Sequence, residues 1–212
     1  MHVLLLGASG RIGTRITTEL LDRGHAVTGV SRNGDVDGVD DSDFEAVAGD
    51  ATDPDDVAAL AAGHDAVGSA LGPGGDGDPA ILVDMAEAVV DGLREADVDR
   101  LVWTGGAGGL HVGPGTRLVD TEDFPAEWES LARAAIEAYG VFEDAEDLEW
   151  TYLAPAAFIE PGERTGEYRT AAGELVADDK GESYISMEDF AVAFADVLES
   201  GEAVHTYLGT GY

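Results

Sequence analysis

The chain has 212 residues and no cysteine, so disulfides, thiolate metal sites and cysteine nucleophiles are excluded. It also has no apolar run close to the ~20 residues that a membrane-spanning helix requires. The short apolar run at the N-terminus follows no basic stretch, and Gly7 ends it too soon for a signal peptide. We therefore expect a cytoplasmic protein with no membrane partner.

Basic residues are scarce. Eleven Lys and Arg residues stand against 44 Asp and Glu, which gives a formal net charge of −33, and Lys180 is the only lysine. Such a charge repels nucleic acid and anionic lipid, so neither is expected as a partner. At molar salt the Debye length falls to ~3 Å, and the self-repulsion is then largely screened. The composition resembles that of proteins from salt-accumulating, halophilic archaea, and we expect a source of that kind.

Calcium binding is the rival explanation for the acidic residues, but the spacing argues against it. Residues 35–43 (DVDGVDDSD) have glycine at the fourth position, whereas an EF-hand loop needs it at the sixth. Residues 74–78 (GGDGD) occur once and not in the tandem array of a calcium β-helix. We expect no metal site.

Strand-like and helical patterns alternate along the chain. Apolar side chains that recur every fourth residue, such as Ile12, Ile16 and Leu20, predict helices. Short apolar runs predict strands at 2–6, 25–30, 44–48, 64–71, 100–104, 149–153 and about 204–208. The alternation predicts an α/β protein: a Rossmann-type doubly wound, mostly parallel sheet flanked by helices on both faces.

The length and the short connections predict a single domain over residues 1–212. A small substrate-side region is expected from about 105–125 and 154–185. Within it, residues 154–169 are punctuated by Pro and Gly and are predicted to form a loop. Ser186, followed three residues later by Asp189, predicts a capping box that opens a helix.

Residues 7–13 (GASGRIG) lie between the first predicted strand and the first predicted helix, the context that a dinucleotide fingerprint needs. Gly7 allows a tight turn, Gly10 allows close approach of a pyrophosphate, and Gly13 allows the helix to pack near the strand. No Lys-Ser/Thr pair follows, so a Walker A loop is excluded. The residues expected to hold the dinucleotide here are Gly7, Ala8, Ser9, Gly10, Arg11, Ile12 and Gly13.

The end of the second predicted strand indicates which dinucleotide is bound. An acidic residue about 20 positions after the loop would hold the ribose of NAD, whereas arginine accommodates the 2′-phosphate of NADP. The sequence there reads Ser31-Arg32-Asn33, with no acid before Asp35. Arginine has a fork of donors suited to phosphate, and the serine hydroxyl can join it. We therefore predict NADP(H), with NAD(H) as the weaker alternative.

Four segments in order resemble the atypical, NAD(P)H-binding, NmrA-like branch of the short-chain dehydrogenase/reductase superfamily. They are GASGRIG, GDATDPDDVAALAAGHDAVGSALG (49–72), RLVWTGGAG (100–108) and LEWTYLAPAAF (148–158). The resemblance covers most of the chain. It implies that Asp50 and Ala51 contact the adenine and that Thr104 occupies the place of the superfamily's active-site serine. It also implies that the ribose side of the site is lined by Ser69, Ala70, Leu71 and Gly72. The segment beside the nicotinamide would be Pro155, Ala156 and Ala157.

The catalytic pair of that superfamily is missing. Typical members use Tyr-x-x-x-Lys, in which the lysine lowers the pKa of the tyrosine for proton transfer. Here Val176 stands four residues before Lys180, and Tyr139 is followed four places later by Glu143. The remaining candidates for a catalytic role are Thr104 and His111, the only histidine expected on the binding side of the sheet.

The sequence therefore leaves three functions open. The first is an NADP(H)-dependent oxidoreductase that transfers hydride to a small acceptor needing little proton assistance, such as a flavin or a quinone. The second is a non-catalytic NADP(H)-sensing regulatory protein, and the third is a sugar-nucleotide epimerase or dehydratase. Each takes a small-molecule ligand, and a monomer or a homodimer is expected.

Overall fold

Strands and helices alternate along the chain, as the sequence pattern predicts. The structure, a computed structural model, describes residues 1–75 and 77–212; Asp76, inside the 74–78 segment considered above for calcium, lies outside the described residues. The helices are α1 (Arg11–Asp22), α2 (Pro54–Ala61), α3 (Ile81–Ala96), α4 (Ala126–Glu143) and α5 (Met187–Ser200). The strands are β1 (His2–Leu6), β2 (Ala26–Ser31), β3 (Phe44–Ala48), β4 (Ala66–Ser69), β5 (Arg100–Thr104), β6 (His111–Gly113), β7 (Thr116–Arg117), β8 (Glu149–Ala154), β9 (Phe158–Glu160), β10 (Arg169–Ala172), β11 (Tyr184–Ser186) and β12 (Thr206–Gly211).

Eight strands form one central sheet in the order β10-β12-β8-β5-β4-β1-β2-β3. Their pairings are parallel except for that of β10, which runs antiparallel to β12 at one edge. This arrangement confirms the predicted α/β class and the Rossmann-type, mostly parallel sheet. The strand order reverses between β1 and β4, and open α/β sheets bind their ligands at such a point, beyond the carboxyl ends of the strands.

Successive residues of β1 face opposite sides of the sheet, and each side has its own core. Val3 and Leu5 belong to a cluster with residues of α1 and α5, including Ile16 and Phe190. Leu4 and Leu6 belong to the opposite cluster, which includes residues of α2, α3 and α4. The fully apolar run of β1 is therefore explained by burial on both faces.

The prediction that residues 154–169 form a loop is wrong in part. β9 lies inside this segment and pairs in parallel with β11, while β10 begins at its end. These strands have only three or four residues, too few to show an alternating pattern, and their partners are distant in the sequence.

The last strand also extends further than predicted. It runs from Thr206 to Gly211, although its glycines suggest an earlier end. Gly209 is required by packing, because a Cβ there would lie 2.4 Å from the carbonyl oxygen of Glu174.

Only one of the two hydrogen bonds of the capping box predicted at Ser186 forms. The Ser186 hydroxyl accepts a hydrogen bond from the backbone N–H of Asp189 at 3.0 Å, which caps α5. The Asp189 carboxylate does not return to Ser186. It is fully buried and accepts hydrogen bonds from Thr165, Gly166 and the Tyr212 hydroxyl at 2.6–2.8 Å. Asp189 therefore ties the 161–168 segment and the C-terminus to α5.

We expect Asp189→Asn to lower the free energy of unfolding by about 2 kcal/mol, because one amide cannot accept all of these bonds. Burial raises the pKa of Asp189, but hydrogen bonds from Thr165 and Tyr212 outweigh it and leave the pKa below its usual value. The stabilisation is therefore present above the unfolded pKa of ~3.9 and is lost as the pH falls through the lower folded value. Denaturant melts at fixed salt between pH 3 and pH 7 (roughly the span of the carboxyl titration) measure it.

The matched control is Glu87→Gln on the exposed face of α3. It removes one negative charge without touching the buried cluster. Equal stability of Asp189→Asn and Glu87→Gln at neutral pH would contradict the assigned role of Asp189.

Candidate cofactor site

The glycine loop between β1 and α1 is shaped by two close approaches. Gly7 has φ +80°, and a Cβ on it would lie 2.6 Å from the carbonyl oxygen of Ala70. A Cβ on Gly13 would lie 2.1 Å from the carbonyl oxygen of Gly7. Only glycine fits at these two places, and the result is a first turn of α1 packed directly against the ends of β1 and β4.

The N-terminus of α1 has neither a side-chain cap nor an acidic residue. Its N-cap is Gly10, and no side chain bonds to the N–H groups of its first turn. In the described chain, the other four helices all carry at least one acid in the first turn, and α2 and α5 are also capped by Asp53 and Ser186. The first N–H groups of a helix have no partner within the helix and attract anions. In a protein of charge −33, an acid-free helix start is suited to an incoming negative group.

A cavity of about 520 Å³ opens directly in front of this helix start. It lies at the carboxyl ends of β1, β2, β3 and β4, around the reversal of strand order. Its lining includes half of the predicted cofactor residues, namely Gly7, Ser9, Gly10, Ser31, Arg32, Asp50, Ala51, Ala70, Leu71 and Gly72. Four separate segments that were predicted from the sequence to bind the dinucleotide therefore meet at one cavity.

Arg32 lies exposed at the rim of the cavity, with its guanidinium beside Gly74. Five of the ten arginines form ion pairs with acids, and Arg100 and Arg169 bond to backbone carbonyls. Within residues 1–75 and 77–212, Arg32 has no such partner. Among these described residues nothing occupies its donors, which leaves them for a ligand in the cavity.

The polar groups next to Arg32 are used within their own turn. The Ser31 hydroxyl donates to the carbonyl oxygen of Asp35 at 3.0 Å, and the Asn33 amide donates to the Asp35 carboxylate at 2.7 Å. Asn33 lies outside the cavity lining, whereas Ser31 contributes to it. The hydrogen bonds of this turn therefore engage the Asp35 carboxylate with Asn33 and not with Arg32.

Asp50 lies at the mouth of the cavity after β3. Its carboxylate accepts hydrogen bonds from the hydroxyl and the backbone N–H of Thr52 at 2.7 and 2.9 Å, and these bonds lower the pKa of Asp50. The carboxylate is therefore held in one orientation beside Ala51, which is buried.

Several predicted residues support the cavity from behind or lie beside it. Ser69 is fully buried and does not line it, and Ala8 and Gly13 pack under the loop. Arg11 and Ile12 are not among the residues that line the cavity. These residues shape the loop rather than facing the cavity.

Thr104 and residues 155–157 lie at the carboxyl ends of β5 and β8, next along the same edge of the sheet. The Oγ1 atom of Thr104 is buried and has no hydrogen-bond partner among the described residues. Pro155 and Ala156 are buried, and the N–H of Ala157 donates to the Ser183 hydroxyl at 3.0 Å. None of the four lines the cavity described above.

The structure does not bring His111 to this cavity. His111 begins β6, and its ring Nδ1 lies 3.1 Å from the carbonyl oxygen of Gly173. It lines a separate depression with Glu174 and Leu175, beside the edge strand β10. The sequence prediction rested only on the position of His111 after β5. In the structure, the residues after β5 extend past β12, and His111 lies at the β10 edge of the sheet.

Tyr139 is not arranged for proton transfer. It lies in another surface depression with Trp150 and His205. Burial raises the pKa of Tyr139, and the neighbouring Glu143 carboxylate raises it further. The shift is opposite to the one that a lysine would produce at that position.

Sequence reasoning missed the apolar wall of the cavity. Ile81 and Met85, one turn apart on α3, line it together with Leu6 and Val30. The apolar residues of α3 recur every fourth position in the sequence. This spacing is the same whether the side chains face a cavity or the core. Thr52 was also missed, since its role depends on its contact with Asp50.

Comparisons with known proteins place the chain in a family. The sequence pattern of a family described as NAD(P)H-binding matches residues 7–201. A Burkholderia pseudomallei protein provisionally described as exported is 46% identical over all of both chains, with a TM-score of 0.92. A Bacteroides thetaiotaomicron protein provisionally named an epimerase is 33% identical, with a TM-score of 0.91 over 100% of this chain and 96% of the other. A Streptococcus pneumoniae protein provisionally named an NADH-flavin reductase is 30% identical, with a TM-score of 0.86 over 100% and 99% of the two chains.

The family match begins at Gly7, the residue that shapes the loop, and extends through α5. The matched residues include the uncapped start of α1 and the whole lining of the cavity except Leu6. On the sequence match and on this geometry together, the chain belongs to the NAD(P)H-binding family.

Proposed function

We propose that the protein is an NADP(H)-dependent oxidoreductase that transfers hydride between NADPH and a small planar acceptor such as a flavin or a quinone. The observation that carries the proposal is the acid-free N-terminus of α1, which opens onto a cavity with Arg32 at its rim. The S. pneumoniae relative, provisionally named an NADH-flavin reductase, supports the choice of acceptor.

The residues present fit a dinucleotide. The free N–H groups at the start of α1 would bind the pyrophosphate, since helix N-termini favour anions. The wall formed by Ile81 and Met85 is suited to a flat apolar base, and Asp50 lies close by as a hydrogen-bond acceptor. Arg32 would bind a 2′-phosphate by paired, charge-assisted hydrogen bonds, which favours NADP(H) over NAD(H).

When bound, the reduced cofactor supplies a hydride: nicotinamide is oxidised, the acceptor gains two electrons and one hydrogen, and water supplies the proton that completes its reduction. The chain contributes binding and orientation. In this proposal the unpartnered Thr104 hydroxyl would hydrogen-bond to the nicotinamide or to the acceptor at the edge of the sheet. An acceptor protonated by water needs no Tyr-Lys pair.

The epimerase alternative takes support from the provisional name of the B. thetaiotaomicron relative. Sugar chemistry of that kind needs an acid-base pair, however, and Glu143 stands where a lysine would activate Tyr139. The raised pKa of Tyr139 keeps its phenol protonated, so little of the phenolate needed as a base is present near neutral pH. We therefore place the epimerase reaction behind hydride transfer.

The sensor alternative shares the cofactor site and is favoured by the same lack of an acid-base pair. It differs from the enzyme in one measurable respect. A sensor would be stabilised by NADP⁺ but would not oxidise NADPH with any quinone or flavin.

The role of the helix start is tested by Gly10→Asp. Asp at the N-cap would bind the free N–H groups itself, so we expect the free protein to keep its stability and to lose its stabilisation by NADP⁺. The Cβ, 3.3 Å from the carbonyl oxygen of Gly7, is a tight but tolerable addition. Thermal shift with increasing NADP⁺ measures both effects.

The matched control is Gly10→Ala, which adds the same Cβ without the charge. It should retain more NADP⁺ binding than Gly10→Asp. Equal binding by the aspartate variant and the unaltered protein would show that the pyrophosphate does not lie at this helix.

The choice between cofactors is tested by Arg32→Ala. Loss of hydrogen bonds to a charged phosphate should raise the Kd of NADP⁺ about 10- to 100-fold and leave the Kd of NAD⁺ unchanged. Isothermal titration with both dinucleotides measures this selectivity. Arg117→Ala, which removes an arginine remote from the cavity, controls for the change in net charge. An unchanged Kd for NADP⁺ would contradict the assignment.

Adaptation to high salt is a separate part of the proposal, and it rests on the net charge of −33. We expect the melting temperature to rise steeply between ~0.1 and ~2 M KCl as the repulsion is screened. Sucrose, which stabilises by exclusion and not by screening, is the control. A melting temperature independent of KCl would contradict the proposal.

A cytoplasmic location is proposed together with salt adaptation. The described residues contain no helix long and apolar enough to cross a membrane. Because the B. pseudomallei relative is provisionally described as exported, fractionation of the source cells decides the location.

A further inference from the structure

Four exposed apolar side chains gather on one surface of the protein. Among the described residues, six large hydrophobic side chains are more than a third exposed. Four of these six form what we name the aromatic patch: Trp128 (43% exposed), Leu131 (42%), Phe158 (56%) and Tyr184 (38%). Such a concentration on a highly charged protein indicates a binding surface, because single scattered apolar residues would be the ordinary case.

The members of the aromatic patch are held next to one another by the fold. The rings of Trp128 and Phe158 meet edge to face, with centroids 6.0 Å apart and an interplanar angle of 72°. Leu131 follows Trp128 by one turn of α4. Tyr184 on β11 is the register partner of Phe158 on β9. The patch therefore joins a helix and a small two-stranded sheet into one apolar surface.

The aromatic patch lies on the side of the sheet where the reacting half of a dinucleotide would extend. The cavity occupies the ends of β1 to β4, and a dinucleotide crosses the point where the strand order reverses. With its adenosine half over β2 and β3, its nicotinamide half would lie toward β5 and β8. Phe158 follows the carboxyl end of β8 by only four residues.

The charged residues that adjoin the aromatic patch along the chain are acidic. Glu127 and Glu129 flank Trp128, and Glu160 lies on the same strand as Phe158. The nearest arginine on α4 is Arg133, which is paired with Glu129 and Asp120. A phosphorylated ligand would be repelled here, whereas a neutral ring would not.

We propose that the aromatic patch is a stacking platform for a neutral, planar, conjugated acceptor, namely a quinone or an unphosphorylated flavin. The proposal rests on the proposed function and names its substrate class. A planar ligand ring stacks on the exposed face of an aromatic side chain such as Trp128 or Phe158, and the patch leaves the bound ring open to water, the source of the proton. Flavin mononucleotide (FMN), which carries a phosphate, should bind less well.

The first experiment measures binding without turnover. Riboflavin is titrated into the protein in the presence of NADP⁺, and the quenching of riboflavin fluorescence gives a Kd. We expect Trp128→Ala and Phe158→Ala each to raise this Kd about 5- to 50-fold, as loss of one stacking partner does. Trp128→Phe, which keeps a ring, should restore most of the affinity. Val112→Ala, at an exposed apolar side chain outside the patch, is the control.

The second experiment separates ligand classes by charge. Oxidation of NADPH is followed with menadione, riboflavin and FMN at several concentrations of KCl. The KM for FMN should exceed that for riboflavin at low salt, and the difference should shrink as salt screens the acids. The KM for menadione and riboflavin should rise in the Trp128→Ala and Phe158→Ala variants.

The outcomes distinguish the platform from the proposed function. If NADPH is oxidised and both alanine variants keep the Kd for riboflavin and the KM for menadione and riboflavin, the stacking platform is overturned. The proposed oxidoreductase function would then still stand. Riboflavin binding that depends on Trp128, without any oxidation of NADPH, would support the platform and overturn the enzyme. A dimer in sedimentation that Trp128→Ala converts to a monomer, with no change in riboflavin binding, would show that a second copy covers the patch.

Discussion

The packing of α1 against the ends of β1 and β4 is the constraint on which the site depends. Gly7 and Gly13 permit it, since a Cβ at either position would collide with a backbone carbonyl. The close approach aims the free N–H groups of the helix at the point where the strand order reverses. Arg32, Asp50 and the apolar wall of α3 surround that point because their strands and helix are assembled on the same sheet.

The acidic residues are distributed so that the start of α1 carries none. Acidic residues cover the protein and occupy the first turns of four helices, yet none stands in the first turn of α1. Most arginines are engaged as connectors; Arg23, for example, bonds to Glu19, Asp196 and Glu199 and links α1 to α5. The start of α1 and the neighbouring Arg32 are thus less negative than the rest of the protein surface. An anionic cofactor is therefore repelled less at this place than elsewhere.

Sequence and structure differ where function depends on distant contacts. The glycine loop, the α/β alternation and the helix cap at Ser186 could be predicted because each is a local pattern. The strands β9 and β11 could not, since each has three residues and finds its partner more than twenty residues away. His111 was expected on the binding side from its position after β5, but hydrogen bonding with Gly173 holds it at the far edge of the sheet.

By itself the sequence determined the fold class and a nicotinamide-type loop, because the spacing of glycines and apolar residues is set by backbone geometry that every such loop shares. It also determined the absence of a Tyr-Lys pair by simple counting. Only the tertiary structure decided which side chains face the cavity, that Tyr139 lies beside Glu143 in a different depression, and that Trp128 meets Phe158 at the surface. Those contacts join residues far apart in the chain, and their positions are settled only when the whole sheet closes.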